Sequence, residues 1–355
     1  MKICILTLPF NVNYGGVLQA YALQSVLENL GHEVWVEKKG PNKSNLLNKL
    51  KGCTFVRLLF GKKPIRKQYV RQQPIQLFID TYIHNTPVIT KKKQLIKNNF
   101  DAYIVGSDQV WRLAFSPSIY HYFLDFTANL KTLRIAYAAS FGLEEWQYSK
   151  MQTLKIRKLI KKFDSVLVRE DSAVTLCERE LKVKAKQVVD PTLLLQKQDY
   201  LNLISIKNIT KNGLLCYILG FSEAKNEIIN EISKKLNFVN KKIINFKNLE
   251  NHTLPSMADW LKSFVEAEYI ITDSFHGTVF SILFNIPFIV IAHKSGGLTR
   301  IRSLLSVFGL EKRLIFSKKE ITEDLIKMPI DFTKINKIRE EERLKSLSYL
   351  SNLLK

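Results

Sequence analysis

The sequence predicts an α/β fold built on parallel sheet and carried twice along the chain. Three observations predict it. Short apolar, β-rich runs alternate with helical patterns almost throughout. The alternation restarts after Asp190–Pro191, which suggests two halves joined near residues 191–212. The length of 355 residues also suits two domains at one per roughly 100–200 residues.

Residues 2–8 read as a strand, followed by a polar turn at 11–16 and a helix over 17–30 with apolar spacing at Leu18, Tyr21, Ala22 and Val26. Gly31 stops that helix, and 32–37 is the next strand. Further strands are expected at 102–106, 135–140, 165–169 and 187–190, with helices at 149–163 and 171–181. In the second half, 214–220, 242–246, 269–272 and 286–292 read as strands. Helices are expected at 223–236, 258–267, from Gly277 onward, and at 298–308. Residues 334–354 form a long amphipathic helix with Arg339, Glu340, Glu341, Glu342 and Arg343 on its polar side. The expected domains are 1–195, 196–330 and a closing helix over 331–355.

Composition narrows the function classes. Apolar residues make up 46% and charged residues 24%, which excludes a disordered or fibrous chain. The longest apolar runs, such as 286–292, fall short of the about 20 residues a membrane span needs. The apolar stretch 3–10 lacks a following small-residue cleavage site and reads as a buried strand rather than a signal peptide. Cys4, Cys53, Cys177 and Cys216 are scattered with no CxxC pair, so neither a disulfide framework nor a cysteine metal site is expected, and a cytoplasmic location fits. A formal net charge of +22 favours anionic partners. Between Glu37 and Asp80 there is no acidic residue, while Lys62, Lys63, Arg66 and Lys67 are among the cations there, with leucines interleaved. That segment is either a solvated surface excursion or a peripheral contact with an anionic membrane. Nucleic acid is not expected, because no zinc finger, RRM-type aromatic motif or helix-turn-helix accompanies the charge.

In parallel sheets ligands bind beyond the carboxyl ends of strands, so the residues just after strands carry the chemistry. Asn13, Gly15 and Gly16 lie between a strand and a helix, where the glycines would let a ligand approach backbone N–H groups; a tight turn is the alternative. Asp108 follows Val105-Gly-Ser, where it could bind or deprotonate an acceptor hydroxyl, or else cap a helix. Arg169 ends the run Leu167-Val and could grip a carboxylate or phosphate with two hydrogen bonds, or form an internal salt bridge with an acidic neighbour. Glu170 and Asp171 suit the following helix dipole. The strongest candidate is the box Asp273-Ser274-Phe275-His276-Gly277, which sets a titratable imidazole at a helix start after a buried strand. Lys294 and Arg300 could add positive charge to the same pocket.

Five motifs in order carry a family resemblance. The opening from Asn11 to Leu23, the VGSDQVW strand end, the VRE element, the VVDPTLLL linker and the SFHGTVFS box resemble the polysaccharide pyruvyl transferases over roughly residues 1–315. The resemblance implies two Rossmann-like domains facing across a cleft, a glycosyltransferase-B-like arrangement, with the acceptor on the first and the donor on the second. It implies phosphoenolpyruvate as donor and a hydroxyl pair of a polysaccharide sugar, free or lipid-linked, as acceptor. The product would be a cyclic pyruvate ketal, with phosphate released and no metal or other cofactor. The family's donor-contacting arginine falls on Arg169 and its essential histidine on His276. Many members carry Arg two positions before that His; this chain has Ser274, and Lys294, Arg300 or Arg302 would supply the charge. On this reading His276 and Asp108 are the catalytic pair. Arg169, Ser274, Gly277, Lys294, Arg300, Asn13, Gly15 and Gly16 would bind the substrates. The alternatives are a nucleotide-sugar glycosyltransferase of the same shape and a non-catalytic membrane scaffold.

Overall fold

The strands that read as continuous apolar runs are buried on both faces and pair in parallel, as expected where helices cover a sheet on both sides. The computed structural model describes residues 1–10, 13–40, 65–116, 118–204, 209–245, 254–292 and 297–355. The basic stretch after Glu37 lies mostly outside the described residues, as do His293 and Lys294.

The first half runs β1 (Lys2–Leu6), α1 (Tyr14–Asn29), β2 (Glu33–Val36), α2 (Ile65–Tyr82), α3 (Lys92–Lys97), β3 (Ala102–Val105), β4 (Leu133–Ala139), α4 (Lys150–Ile160), β5 (Ser165–Val168), α5 (Asp171–Leu176) and β6 (Lys186–Gln187). Its six strands form one parallel sheet in the order β2-β1-β3-β4-β5-β6. After α6 (Lys197–Leu201), the second half runs β7 (Leu214–Ile218), α7 (Glu223–Lys235), β8 (Lys241–Asn245), α8 (Met257–Glu266), β9 (Tyr269–Thr272), α9 (Phe275–Phe284), β10 (Phe288–Ile291), α10 (Leu298–Phe308) and β11 (Leu314–Ile315). These five strands form a second parallel sheet, ordered β11-β10-β9-β7-β8. Each sheet reverses its winding at its first strand, between β1 and β3 and between β7 and β9. Crevices for ligands open at such reversals.

Several boundaries differ from expectation for identifiable reasons. α1 starts at Tyr14 because Asn13 caps it, its side-chain oxygen accepting from Gly16 N. α9 starts at Phe275, two residues before Gly277, because Ser274 caps it and accepts from Gly277 N. The expected strand at 187–190 shortens to β6, and Asp190 instead begins a 3₁₀ turn over Pro191–Leu193. The last elements are α11 (Glu323–Lys327) and α12 (Phe332–Leu353). The polar side of α12 is partly exposed, at Glu341, and partly packed on protein. Arg343 Nε donates to Leu194 O at 2.8 Å, and Ser346 Oγ accepts from Val189 N at 3.2 Å. α12 thus straps the segment that joins the two halves.

A seam closes the halves on each other. Tyr14 of α1 stacks on Trp260 of α8 with ring centroids 5.3 Å apart, and its hydroxyl donates to Pro255 O at 2.7 Å. A stacked pair of this kind contributes about 0.5–1.5 kcal/mol beyond its buried area. Ser303 Oγ of α10 accepts from Asp171 N and from Gln187 Nε2. No helix among the described residues is long and apolar enough to cross a membrane.

Candidate active site

Charged side chains converge at this seam from strand ends of both sheets. Arg169 follows β5 and is buried. Its Nη1 donates to Asp190 Oδ2 at 2.7 Å and its Nη2 to Asp108 Oδ1 at 3.1 Å. Its guanidinium lies over the Phe275 ring, 4.4 Å from the centroid. From the other half, Arg300 of α10 brings Nη1 to 3.6 Å from Asp108 Oδ1. His276, in the first turn of α9, brings Nε2 to 3.8 Å from Asp190 Oδ2, beyond hydrogen-bond range. Arg169 and His276 therefore do meet across the seam, and they meet at the carboxylate of Asp190.

Asp190 is the residue that the strand-end argument missed. It accepts from Thr192 N and Thr192 Oγ1 on one oxygen and from Ser107 Oγ and Arg169 on the other. Burial alone would raise its pKa, but His276 and Arg169 beside it hold the carboxyl well below the usual carboxylate range. Asp108 shows the same contest more weakly: burial raises its pKa, while Arg169, Arg300 and His276 bring it below the ordinary value. Arg300 moves the other way, lowered to about 10 by burial and by Arg169. Glu170 is also buried; burial raises its pKa against the pull of Arg169. Its Oε1 accepts from Ser140 Oγ at 2.7 Å and from Gly142 N at 3.1 Å, so it does more than complement a helix dipole.

Three buried nitrogens in this cluster have no hydrogen-bond partner among the described residues: Arg169 Nε, Arg300 Nε and His276 Nε2. Buried donors are seldom left unpaired without a functional reason. The two guanidiniums are cationic, and with the imidazole beside them they suit an anion carrying several oxygens.

The other expected site residues divide. Asn13, Gly16 and Asp108 line a common cavity of about 270 Å³ at the carboxyl ends of β1 and β3. Asp108 reaches it from a backbone at φ 72°, a left-handed position for a non-glycine residue, and caps no helix. Gly15 packs against His276. A Cβ there would lie 2.1 Å from His276 Cγ and Nδ1, so its missing side chain makes room for an imidazole from the other half. Gly277 is likewise a packing glycine, because a Cβ would meet Thr272 Oγ1 at 2.2 Å. Ser274 is buried as the α9 cap, and its backbone N donates to Thr272 Oγ1. At Gly15, Gly277 and Ser274 the side-chain space or hydrogen bonds are taken by the protein itself. Lys294 falls outside the described residues. Among the described residues no group of three His, Cys, Asp or Glu gathers as metal ligands would.

A model of the polysaccharide pyruvyl transferase family matches residues 13–295 of the chain. No curated protein matches it. Among solved structures, the UDP-GlcNAc 2-epimerase of Neisseria meningitidis, bound to UDP-GlcNAc, is 12% identical with a TM-score of 0.56, covering 100% of this chain and 99% of its own. The UDP-GlcNAc 2-epimerase of Methanocaldococcus jannaschii, in complex with UDP-GlcNAc and UDP, is 14% identical with a TM-score of 0.50 over 100% and 99%. At such identities the likeness shows the fold alone, two Rossmann-like domains in the glycosyltransferase-B arrangement.

Proposed function

The chain belongs to the polysaccharide pyruvyl transferase family, and on that premise we propose that it moves the pyruvyl group of phosphoenolpyruvate onto two hydroxyls of a polysaccharide sugar. The observation that supports this best is the set of three buried, unpartnered nitrogens on Arg169, Arg300 and His276. Phosphoenolpyruvate carries a carboxylate and a phosphate on three carbons, and two guanidiniums with an imidazole supply both grips.

The reaction balances without a redox partner. A proton goes to the enol methylene, which becomes a methyl group, and C2 gains oxocarbenium character. A sugar hydroxyl attacks C2 and gives up its proton. The C2–O bond to phosphate breaks, phosphate leaves with the electron pair, and the second hydroxyl closes the ketal ring, its proton going to the departing phosphate. His276 Nε2 supplies the proton to the methylene, Arg169 and Arg300 hold the donor anions, and Asp108 takes the proton of the attacking hydroxyl. Positioned acid–base groups are worth about 10²–10⁴ in rate, so His276→Ala should lose turnover by that order. Phosphate release and the mass gain of a pyruvyl ketal across a sugar panel measure it; wild-type turnover in folded His276→Ala protein would overturn the assignment. A nucleotide-sugar transferase is separated by melting. Phosphoenolpyruvate should raise the melting temperature and UDP-sugars should not, since a ligand at 100-fold its Kd stabilises by about 2.7 kcal/mol.

A further inference from the structure

The outward face of α4 combines charge of one sign with exposed apolar side chains. Ser149 caps the helix, accepting from Gln152 N, and Thr153, Ile156 and Ile160 are buried on its inner face. The outer face holds Met151, 82% exposed, and Leu154, 56% exposed, one turn apart. A single exposed apolar residue is ordinary. These two are set among exposed Lys150, Lys155 and Lys158, and exposed Lys161 and Lys162 continue the row past the last turn. α4 carries four cations and no carboxylate, whereas α7 carries three of each, so a Lys-rich composition alone does not account for it. None of these lysines pairs with a carboxylate among the described residues. Lys155 Nζ lies over the Tyr120 ring at 3.9 Å. Arg157 is instead tied to the protein, its Nε donating to Glu180 O at 2.6 Å.

We propose that this face of α4 docks on an anionic lipid bilayer. Met151 and Leu154 enter the boundary between head groups and acyl chains, and the lysines meet the lipid phosphates, their stems lying along the apolar surface. Charge selects a polyanionic partner, and the apolar pair selects the membrane over nucleic acid. Met151 and Leu154 would leave water at a bilayer, whereas a solvated phosphate backbone offers them nothing to pack on. Topology adds a consequence. α4 follows β4 in a parallel sheet, so its first turn, with Met151, stands at the carboxyl ends of the strands, the side on which Asp108 and Arg169 gather. Docking through α4 holds that side of the first half close to the lipid. This surface does not depend on the donor reading above.

Vesicle sedimentation of the full chain tests it. The protein should pellet with phosphatidylcholine vesicles that contain phosphatidylglycerol, pellet poorly with phosphatidylcholine alone, and be released as salt rises. Met151→Ser/Leu154→Ser, which changes no charge, should lower partitioning about tenfold. Lys158→Glu/Lys162→Glu should lower it by at least about tenfold. Lys334→Glu/Lys337→Glu makes the same change of charge at exposed positions of α12 and should leave partitioning near the parent value. All three variants should melt with the parent. A parent that does not pellet overturns the proposal, and so does undiminished binding in either α4 variant. An equal loss in the α12 variant overturns it too, because net charge rather than a surface would then account for binding. Tighter binding to single-stranded RNA than to the vesicles, lost in Lys158→Glu/Lys162→Glu, would assign the face to nucleic acid instead. None of these readouts uses phosphoenolpyruvate, so the donor reading stands or falls separately.

Discussion

Substituting Gly15 by Ala probes the seam with the smallest possible wedge. The added Cβ would sit 2.1 Å from His276 Cγ and Nδ1 and 2.6 Å from His276 Cβ. Ordinary contact begins near 3.4 Å, so the ring must retreat by about 3.4 − 2.1 = 1.3 Å. Rotating the imidazole cannot achieve this, because His276 Cβ, fixed by the α9 backbone, is itself about 0.8 Å too close. Helices α1 and α9 must part. Overpacking of this sort costs about 1–3 kcal/mol, and exchanging Gly for Ala inside a helix returns up to about 1 kcal/mol. The net loss of stability is therefore small, a few degrees of melting temperature at most for a chain this long. Catalysis should suffer more, since a misplacement of about 1 Å in a reacting group can cost 10²-fold. The expected variant is folded, melts within a few degrees of the parent, and releases phosphate about 100-fold more slowly. Its His276 imidazole resonance, assigned by loss in His276→Ala, should move. Wild-type turnover together with an unmoved resonance would refute the claim that Gly15 exists to seat this ring.

Two further outcomes follow from the carboxylates. Asp108→Asn should bind phosphoenolpyruvate about tenfold more tightly by calorimetry, because a charged competitor for Arg169 and Arg300 is gone, yet its turnover should fall; weaker donor binding would count against the seam as the donor site. Glu170→Gln keeps an oxygen for Ser140 and Gly142 and removes a group whose folded pKa is raised by burial. A raised carboxyl contributes stability that is present below its unfolded pKa of about 4.3 and is lost as pH climbs through the folded value. The melting temperature of Glu170→Gln relative to the parent should therefore rise as pH climbs above the unfolded pKa of about 4.3, and a flat or falling difference would contradict the buried, raised carboxyl.

The parallel sheets were legible because burial on both faces writes a continuous apolar run, as in β9, Tyr269–Thr272. The strand-end argument also found Asp108, Arg169 and His276. It missed Asp190, although the same argument applied, because Asp-Pro after an apolar run reads equally as a linker turn. Gly15 carried no usable signal. A glycine in a strand-to-helix turn suggests a ligand, and only the closure of the second half shows that the occupant is His276. The polar pattern of α12 misled for a related reason: Arg339 and Arg343 look solvated in one dimension, whereas Arg339 reaches Leu283 O and Arg343 reaches Leu194 O. Local pattern records which residues are polar, and tertiary closure decides what they answer to.

The two acidic partners of Arg169 are not equivalent, and the difference says which one a donor can displace. Asp190 is held by Ser107, by both donors of Thr192 and by Arg169, so removing it would orphan several groups at once. Asp108 is held by one hydrogen bond from Arg169 and a 3.6 Å approach of Arg300, and it borders the open cavity. An incoming anion that takes over those guanidiniums need only turn Asp108 away. Turned away, its carboxyl loses the cations that keep its pKa low and becomes a better base at the moment the donor is seated. On the function proposed above, that argument would have the donor bind first and the acceptor second.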